Sequence, residues 1–154
     1  MQVTPGQLVA EPGDQAPIHL EGAVVGLAAE GGTGLARLDG ELNRLSDGAL
    51  LRGEVAAPFR LECARCTKSF TWVVRAPVDV LMTSAGGSRD TDADVIPWSG
   101  WGSVDLDGAL RGALLSVLPM KPLCRPDCAG LCQSCGADLN DGPCGCSPSI
   151  DEDC

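Results

Sequence analysis

Aromatic residues are scarce in this chain. Phenylalanine and tryptophan make up 3% of its 154 residues and tyrosine is absent, so we expect a mostly aliphatic core. The single histidine, His19, lies in a predicted strand and lacks the partners of a Ser–His–Asp set, so no enzyme is expected. The sequence has no apolar run of about 18 residues and no basic start followed by an apolar stretch. It therefore predicts a cytoplasmic protein of one ordinary domain, with room for a small appendage.

Positive charge is also scarce, with 11 basic against 21 acidic residues and a formal net charge of −10. Because phosphate binding depends on Lys and Arg, such a chain cannot bind nucleic acid through its overall field. The exception is segment 51–80, which has five basic and three acidic residues. Its side chains could contact RNA phosphate or simply offset the charge of nearby thiolates. The candidate contacts are Arg60, Arg65, Lys68 and Arg75.

Cysteine, by contrast, is abundant. The chain has nine cysteines, and both the odd count and the lack of an export signal argue against a disulfide framework. Eight of them fall into close pairs, which is how a chain presents two thiolates to one tetrahedral zinc ion. The pairs are Cys63/Cys66, Cys124/Cys128, Cys132/Cys135 and Cys144/Cys146. We predict one or two Zn²⁺ sites, with unmetallated thiols as the alternative and Cys154 as a free thiol.

Spacing alone does not decide which pairs share a metal. The two pairs between 132 and 146 are close in sequence and would form one compact four-thiolate site. The pair at 124–128 would then join the pair at 63–66, although the swapped pairings stay open. A thiol–disulfide redox centre is a further alternative. It is disfavoured because Cys63-x-x-Cys66 separates two predicted strands, whereas a redox motif normally follows a strand and opens a helix.

Hydrophobic patterning predicts an α+β fold, with a bent antiparallel β-sheet or partial barrel and one main helix. The strands are expected at 18–27, 35–45, 49–61 and 70–82, a loop at 83–93, and the helix at 105–118, capped by Asp105 or Ser103. Pro58 and Pro77 indicate strands that are bent or lie at an edge. Trp98 and Trp101 are expected to pack on the helix rather than stack on bases.

The C-terminal segment has a different composition from the rest of the chain. Cysteine, glycine or proline recurs every few residues after Lys121, which leaves too little apolar material for a core. This segment must therefore be ordered by metal or remain disordered. We predict a β-rich domain over 1–122, with the first cysteine pair at a hairpin tip, and a zinc-binding tail over 123–154.

Several of these motifs occur together in a known family. Leu61-Glu-Cys-Ala-Arg-Cys-Thr-Lys-Ser-Phe70 comes first, followed by a helix that ends at Leu118-Pro119 and then by Pro122-Leu-Cys124. The tail continues with Cys128-Ala-Gly-Leu-Cys-Gln-Ser-Cys-Gly-Ala-Asp-Leu-Asn140 and Cys144-Gly-Cys146. In this order, over residues 48–146, the sequence resembles the YceD family of bacterial and plastid large ribosomal RNA subunit accumulation proteins.

The resemblance implies a non-enzymatic role in the accumulation of 23S ribosomal RNA. The implied partner is a large-subunit precursor, contacted through its RNA, a ribosomal protein or a processing factor. Some branches of the family lack the tail cysteines. Members usually continue into an Asp-Pro-Arg phrase and a short helix, where this chain has Ser147-Pro-Ser-Ile-Asp-Glu-Asp-Cys154. The alternatives are a zinc-stabilised protein–protein adaptor unrelated to ribosomes and, after it, a thiol redox protein.

Overall fold

The computed structural model describes residues 1–84 and 94–146. The predicted mostly-sheet fold with one main helix is confirmed, and the sheets of the described residues do not close into a barrel. The elements are β1 (Gln2–Val3), α1 (Pro5–Leu8), β2 (Gln15–Gly22), β3 (Ala36–Arg44), β4 (Gly48–Glu62), β5 (Ser69–Thr83), β6 (Asp94–Pro97), β7 (Val104–Asp105) and α2 (Asp107–Ser116). Most of the loop predicted at 83–93, and Cys154, fall outside the described residues.

The main sheet has the strand order β2-β3-β4-β5-β6, and β1 pairs with β7 in a second, two-stranded sheet. Strands β2, β3 and β4 pair antiparallel, with Gly40 opposite Gly53. A β-carbon at Gly40 would lie 2.4 Å from the carbonyl oxygen of Arg52, so this close approach requires glycine. Strand β6 adds to β5 in parallel, with Val80 opposite Asp94. The sequence analysis did not predict this parallel edge strand, because four residues are too few to show a pattern.

Alternating residues of the long strands point into an aliphatic core, as the scarcity of aromatics predicted. The largest fully buried side chains include Leu38, Leu42, Leu51, Val55, Phe59, Val80 and Met82 of the sheet and Leu110 and Leu114 of α2. Pro58 lies beyond the last β3–β4 pair, and Pro77 lies before the first β5–β6 pair. Pro77 therefore falls where β5 has no β6 partner, which matches the predicted edge position. At Pro58 the residues 31–33 take the place of β3, since the Thr33 N–H donates to the carbonyl oxygen of Pro58 and Gly32 pairs with Phe59.

Helix α2 begins and ends two residues inside its predicted bounds. Leu106 occupies the position before the helix, and the carboxylate of Asp105 accepts a hydrogen bond from the Asp107 N–H at 2.9 Å. Trp98 is buried, and its ring lies 5.0 Å from the Arg44 guanidinium. The expectation for Trp101 was wrong, since 86% of this residue is exposed.

The chain divides into two compact units. The first consists of Met1–Arg60 and Thr71–Leu118, and the second of Leu61–Phe70 and Pro119–Cys154. The hairpin tip thus belongs with the tail, whereas the predicted boundary at 122 put it with the β-rich domain. Within the described residues, no helix combines the length and the apolar character needed to cross a membrane.

Candidate metal centres

The eight paired cysteines form two groups of four, both in the second unit. Within each group the four Sγ atoms lie within 4.8 Å of one another. This is the grouping that proximity in the sequence favoured over the swapped pairings. Group A is Cys63, Cys66, Cys124 and Cys128, and group B is Cys132, Cys135, Cys144 and Cys146.

The spacing of the sulfur atoms fits one tetrahedral ion in each group. In group A, Sγ of Cys63 lies 3.7 Å from Sγ of Cys128, and Sγ of Cys66 lies 3.7 Å from Sγ of Cys124. A zinc–sulfur bond of about 2.3 Å in a regular tetrahedron places neighbouring sulfurs about 3.8 Å apart. Four convergent thiols therefore suit a metal ion better than a redox centre, which needs only two.

The first knuckle of group A is a tight turn built on the backbone of the hairpin tip. The Cys63 N–H donates to the carbonyl oxygen of Lys68, and the Thr67 N–H donates back to the carbonyl oxygen of Cys63, each at 3.0 Å. The turn needs a left-handed residue, and Thr67 supplies it with a φ of 57°. It brings Cys63 and Cys66 to one side of the chain.

The same turn recurs in group B. The Cys132 N–H donates to the carbonyl oxygen of Ala137 at 2.8 Å, and the Gly136 N–H donates to the carbonyl oxygen of Cys132 at 2.9 Å. Here the left-handed position, with a φ of 73°, is a glycine, which takes this conformation without the steric cost of a β-carbon. The sequence pattern Cys-x-x-Cys followed by Gly was the signal for this knuckle.

The two groups differ in their surroundings. Cys63, Cys66 and Cys128 of group A are each exposed by 2% or less. They pack with Phe70, Leu123 and Leu131, which form a small apolar shell around the sulfurs; in group B, by contrast, two cysteines are exposed and two are half-buried. Group A is therefore a small buried cluster, whereas group B lies at the surface of its unit.

Two polar residues that the sequence analysis did not single out support group A. The side-chain amide of Asn140 donates to Sγ of Cys128 at 3.5 Å, while its oxygen accepts from the Ala129 N–H at 2.8 Å. Asp138 accepts from the Asn140 backbone N–H at 2.9 Å and from its side-chain amide. Both residues belong to the Gly-Ala-Asp-Leu-Asn phrase that carried the family resemblance. The sequence therefore pointed to these positions, but it did not show that they support the sulfur atoms of group A.

A salt bridge ties the hairpin tip to the tail within the second unit. Nζ of Lys68 lies 2.6 Å from Oδ2 of Asp138 and 3.7 Å from a carboxylate oxygen of Asp141. The hydrogen bond from Lys68 lowers the pKa of Asp138 to about 2, with further help from the Asn140 N–H. The same hydrogen bond and the two carboxylate charges raise the pKa of Lys68. Asp138 is therefore ionised at neutral pH.

Each group combines one acidic thiol with less acidic ones. Burial would raise the pKa of Cys63, but backbone N–H groups led by that of Cys124 outweigh it and lower this pKa to about 6. Burial, then hydrogen bonding to Cys66, raises the pKa of Cys124 to about 12. In group B the backbone N–H of Cys135 leads the interactions that lower the pKa of Cys132 to about 6.

The four predicted RNA-contacting residues are mostly engaged within the protein. The Arg65 guanidinium donates to the carbonyl oxygen of Cys128 at 2.8 Å, and Arg75 pairs with Glu54 at 3.0 Å. Lys68 is held by Asp138. Arg60 is exposed, and within the described part of the chain it is the one of the four whose side chain has neither a hydrogen bond nor an ion pair. The structure therefore gives Arg65 and Lys68 a structural position beside group A.

Comparisons with known proteins agree with the resemblance. The family model described as "Large ribosomal RNA subunit accumulation protein YceD" matches residues 51–153. An uncharacterized protein of Mycobacterium tuberculosis is 35% identical over 108 residues, which cover 69% of this chain and 52% of the relative. A Mycobacterium leprae protein is 32% identical over 104 residues, covering 66% and 48% of the two chains. No solved structure matches.

The chain spans about half the length of the curated relatives it matches. The matched region 51–153 takes in both cysteine groups, Asp138 and Asn140, so the metal-centre geometry and the family resemblance concern the same residues. The chain belongs to the YceD family of large ribosomal RNA subunit accumulation proteins.

Proposed function

We propose that the protein is a non-enzymatic factor that supports accumulation of 23S ribosomal RNA, and that each cysteine group holds one Zn²⁺. The observation that carries the proposal is the family match over 51–153, which contains all eight grouped cysteines. The match supports the ribosomal role, and the convergence of four thiols in each group supports the metal.

The proposed zinc ions are structural. Four thiolates complete a tetrahedral zinc shell and leave no open position for water or substrate, which a catalytic zinc requires. In group A the ion would join the hairpin tip to the segment at 124–128, and in group B it would close the loop between Cys132 and Cys146. A four-thiolate ion therefore supports a binding role over a hydrolytic one.

The proposed partner is a precursor of the large ribosomal subunit, which puts the site of action in the cytoplasm. The net charge of −10 favours a contact through a ribosomal protein or through a local RNA site over a broad electrostatic contact with the rRNA. The partners of Arg65, Lys68 and Arg75 within the protein point the same way, since an RNA phosphate would have to compete with them.

Depletion of the protein in its own cells tests the ribosomal role. We expect the ratio of 23S to 16S rRNA to fall, the wild-type gene to restore it, and the protein to co-sediment with large-subunit precursors. The rescue is repeated with two variants of the gene. The first is Cys63→Ser with Cys66→Ser, which removes two ligands of group A, and the second is Cys154→Ser, the control outside both groups. An unchanged rRNA ratio together with no co-sedimentation would overturn the proposal in favour of an adaptor unrelated to ribosomes.

Native mass spectrometry of protein purified without chelator tests the metal separately. We expect two zinc ions per chain. A metal-free chain with eight readily alkylated thiols would overturn the zinc assignment and revive the redox alternative.

A further inference from the structure

A cavity of about 680 Å³ lies in the first unit, between α1 and the segment 99–102. Its lining includes Gly6, Gln7 and Val9 on one side, Gly100 and Trp101 on the other, and Arg44 from the end of β3. This volume is in the range of small-ligand pockets, which hold roughly 300–1,000 Å³. The cavity belongs to neither cysteine group.

The charge of this cavity is opposite to that of the protein. Arg44 is the one charged residue in the lining, and the lining contains no acidic side chain. The cavity thus has a local positive charge in a chain whose net charge is −10. An anionic group is the ligand that such a surface selects.

Arg44 is held in place at the cavity wall. One of its nitrogens donates to the carbonyl oxygen of Gly48 at 2.9 Å, and its guanidinium lies 5.0 Å from the centre of the Trp98 ring. An anion in the cavity is therefore attracted by a positive charge that is already fixed in position.

The indole edge of Trp98 is close to the cavity wall. A β-carbon on the lining residue Gly6 would lie 3.9 Å from Cζ2 of Trp98, and Cζ2 is bonded to the ring carbon that carries Nε1. Trp98 therefore lies behind the lining, and its ring supports the Arg44 guanidinium from that side.

Trp101 presents a flat apolar surface at the same cavity. This residue is 86% exposed, the most exposed tryptophan of the described chain. Its neighbours Gly100 and Gly102 have φ values of 91° and 79°, and a β-carbon at either would meet no atom within 4 Å. The ring is thus held on an open loop with no side chain beside it to cover its faces.

We propose that this cavity binds one nucleotide unit of single-stranded RNA, with the phosphate at Arg44 and the base stacked on Trp101. Aromatic stacking combined with a local cation is how proteins hold single-stranded nucleic acid without a large basic surface. The inference rests on the proposed function, because the role in rRNA accumulation supplies RNA as the ligand class. This binding mode also explains how an acidic protein contacts RNA, through a single local site.

The binding of a labelled single-stranded RNA of about 12 nucleotides to the intact, metal-loaded protein tests the stacking contact by fluorescence anisotropy. Trp101→Ala should weaken binding about tenfold, the usual effect of losing one base stack. The matched control is Trp72→Ala, which removes another exposed tryptophan of the first unit, 47% exposed, from a site outside the cavity. Its affinity should equal that of the wild type.

The phosphate contact has its own signature in the salt dependence of binding. Each neutralised phosphate of a single strand contributes about −0.7 to the slope of log K against log salt. Arg44→Gln should remove about that much slope and Arg44→Lys should keep it, since lysine retains the charge. The control Arg37→Gln removes a cation that pairs with Glu21 and lies outside the cavity lining, so the slope should not change.

Equal affinities for Trp101→Ala and Trp72→Ala, or no RNA binding by the wild-type protein, would overturn the inference. Capture of an acidic peptide with no affinity for RNA would also overturn it and would assign the cavity to a protein partner. These failures can be told apart from failure of the proposed function, because the fall in the 23S to 16S ratio after depletion is measured without reference to this cavity.

Discussion

The two cysteine groups share one turn but differ in what a metal would do there. Group A joins residues 58 and 65 positions apart in the chain, from the hairpin tip to the tail, and packs its sulfurs in an apolar shell. Group B is confined to 132–146 and lies at the surface of the unit. Closing a longer loop restricts the unfolded chain more, so the same ion contributes more order at group A than at group B.

The comparison also shows that the knuckle motif does not determine burial. Both knuckles have the same pair of backbone hydrogen bonds and the same left-handed fifth residue. The difference arises because Phe70, Leu123 and Leu131 cover group A, whereas no comparable apolar cluster is seen around group B among the described residues. Four measurements test this difference between the two groups.

Removing group A is expected to have the largest effect. Cys63→Ser with Cys66→Ser should abolish one zinc and unfold most of the second unit, because structural zinc in small domains contributes about 10–16 kcal/mol. The matched variant Cys132→Ser with Cys135→Ser should lose one zinc and keep group A folded. Native mass spectrometry counts the metal, and amide hydrogen exchange over Leu61–Phe70 reports the folding. Loss of both zincs from the second variant would contradict the independence of the groups.

Acidification should release the metal from both groups, with group B first. Metal binding requires thiolates, so protons compete with zinc and the affinity falls as the pH falls. In the metal-free chain the pKa values of the most acidic thiols, Cys63 and Cys132, are about 6, and a bound cation lowers the pH needed to protonate them, so release is expected below this pH. Group B is expected to release first because its cysteines are exposed or half-buried. A chromogenic chelator present during a pH titration should therefore show two release steps of equal size. A single step, or loss of the first step in Cys63→Ser instead of Cys132→Ser, would contradict the predicted order.

Asn140→Ala should weaken group A although the residue lies between the two cysteine pairs of group B. The variant removes the hydrogen bond to Sγ of Cys128 and the acceptor of the Ala129 N–H. Loss of such a supporting contact typically lowers metal affinity about 10-fold or more. Competition with a chelator of known affinity measures it. The control is Asn43→Ala in β3, and an effect of Asn140→Ala confined to group B would show that Asn140 does not act through Cys128.

The smallest effect is expected at the knuckle glycine of group B. Gly136→Ala places a β-carbon at a φ of 73° without any clash, so its cost is the backbone strain alone, about 1–2 kcal/mol. Gly145→Ala is the matched control, since a β-carbon there also meets no atom and its φ lies outside the left-handed region. Chelator competition should separate the two variants by about tenfold in affinity at group B. Equal affinities would show that the left-handed turn does not limit binding.

Strands and the helix were predictable where their patterns were long. Strands β4 and β5 were predicted to within one residue at each end, because alternation over a 15-residue strand is unambiguous. The two-residue strands β1 and β7 and the parallel strand β6 were missed, since their pairing depends on partners distant in the chain. No local pattern carries that information.

In the metal centres, too, some features could be predicted from the local sequence and others depend on distant residues. Pair spacing identified all eight cysteines and favoured the observed grouping, but it could not separate the buried group from the exposed one. The supporting roles of Asp138 and Asn140 depend on contacts with Lys68 and Cys128, which lie 12 or more residues away. Likewise, Trp98 and Trp101 are three residues apart in similar local sequence, yet one is buried and the other exposed.

The sequence by itself determined the aliphatic core, the long strands and the eight paired thiols, because these follow from composition, periodicity and spacing along the chain. Its ordered cysteine motifs carried the resemblance to the family. Only the tertiary structure decided which thiols are buried, which cations are already paired and that Arg44 and Trp101 line one cavity. These properties depend on the surroundings that distant segments create, and two similar local motifs become different sites when different neighbours pack against them.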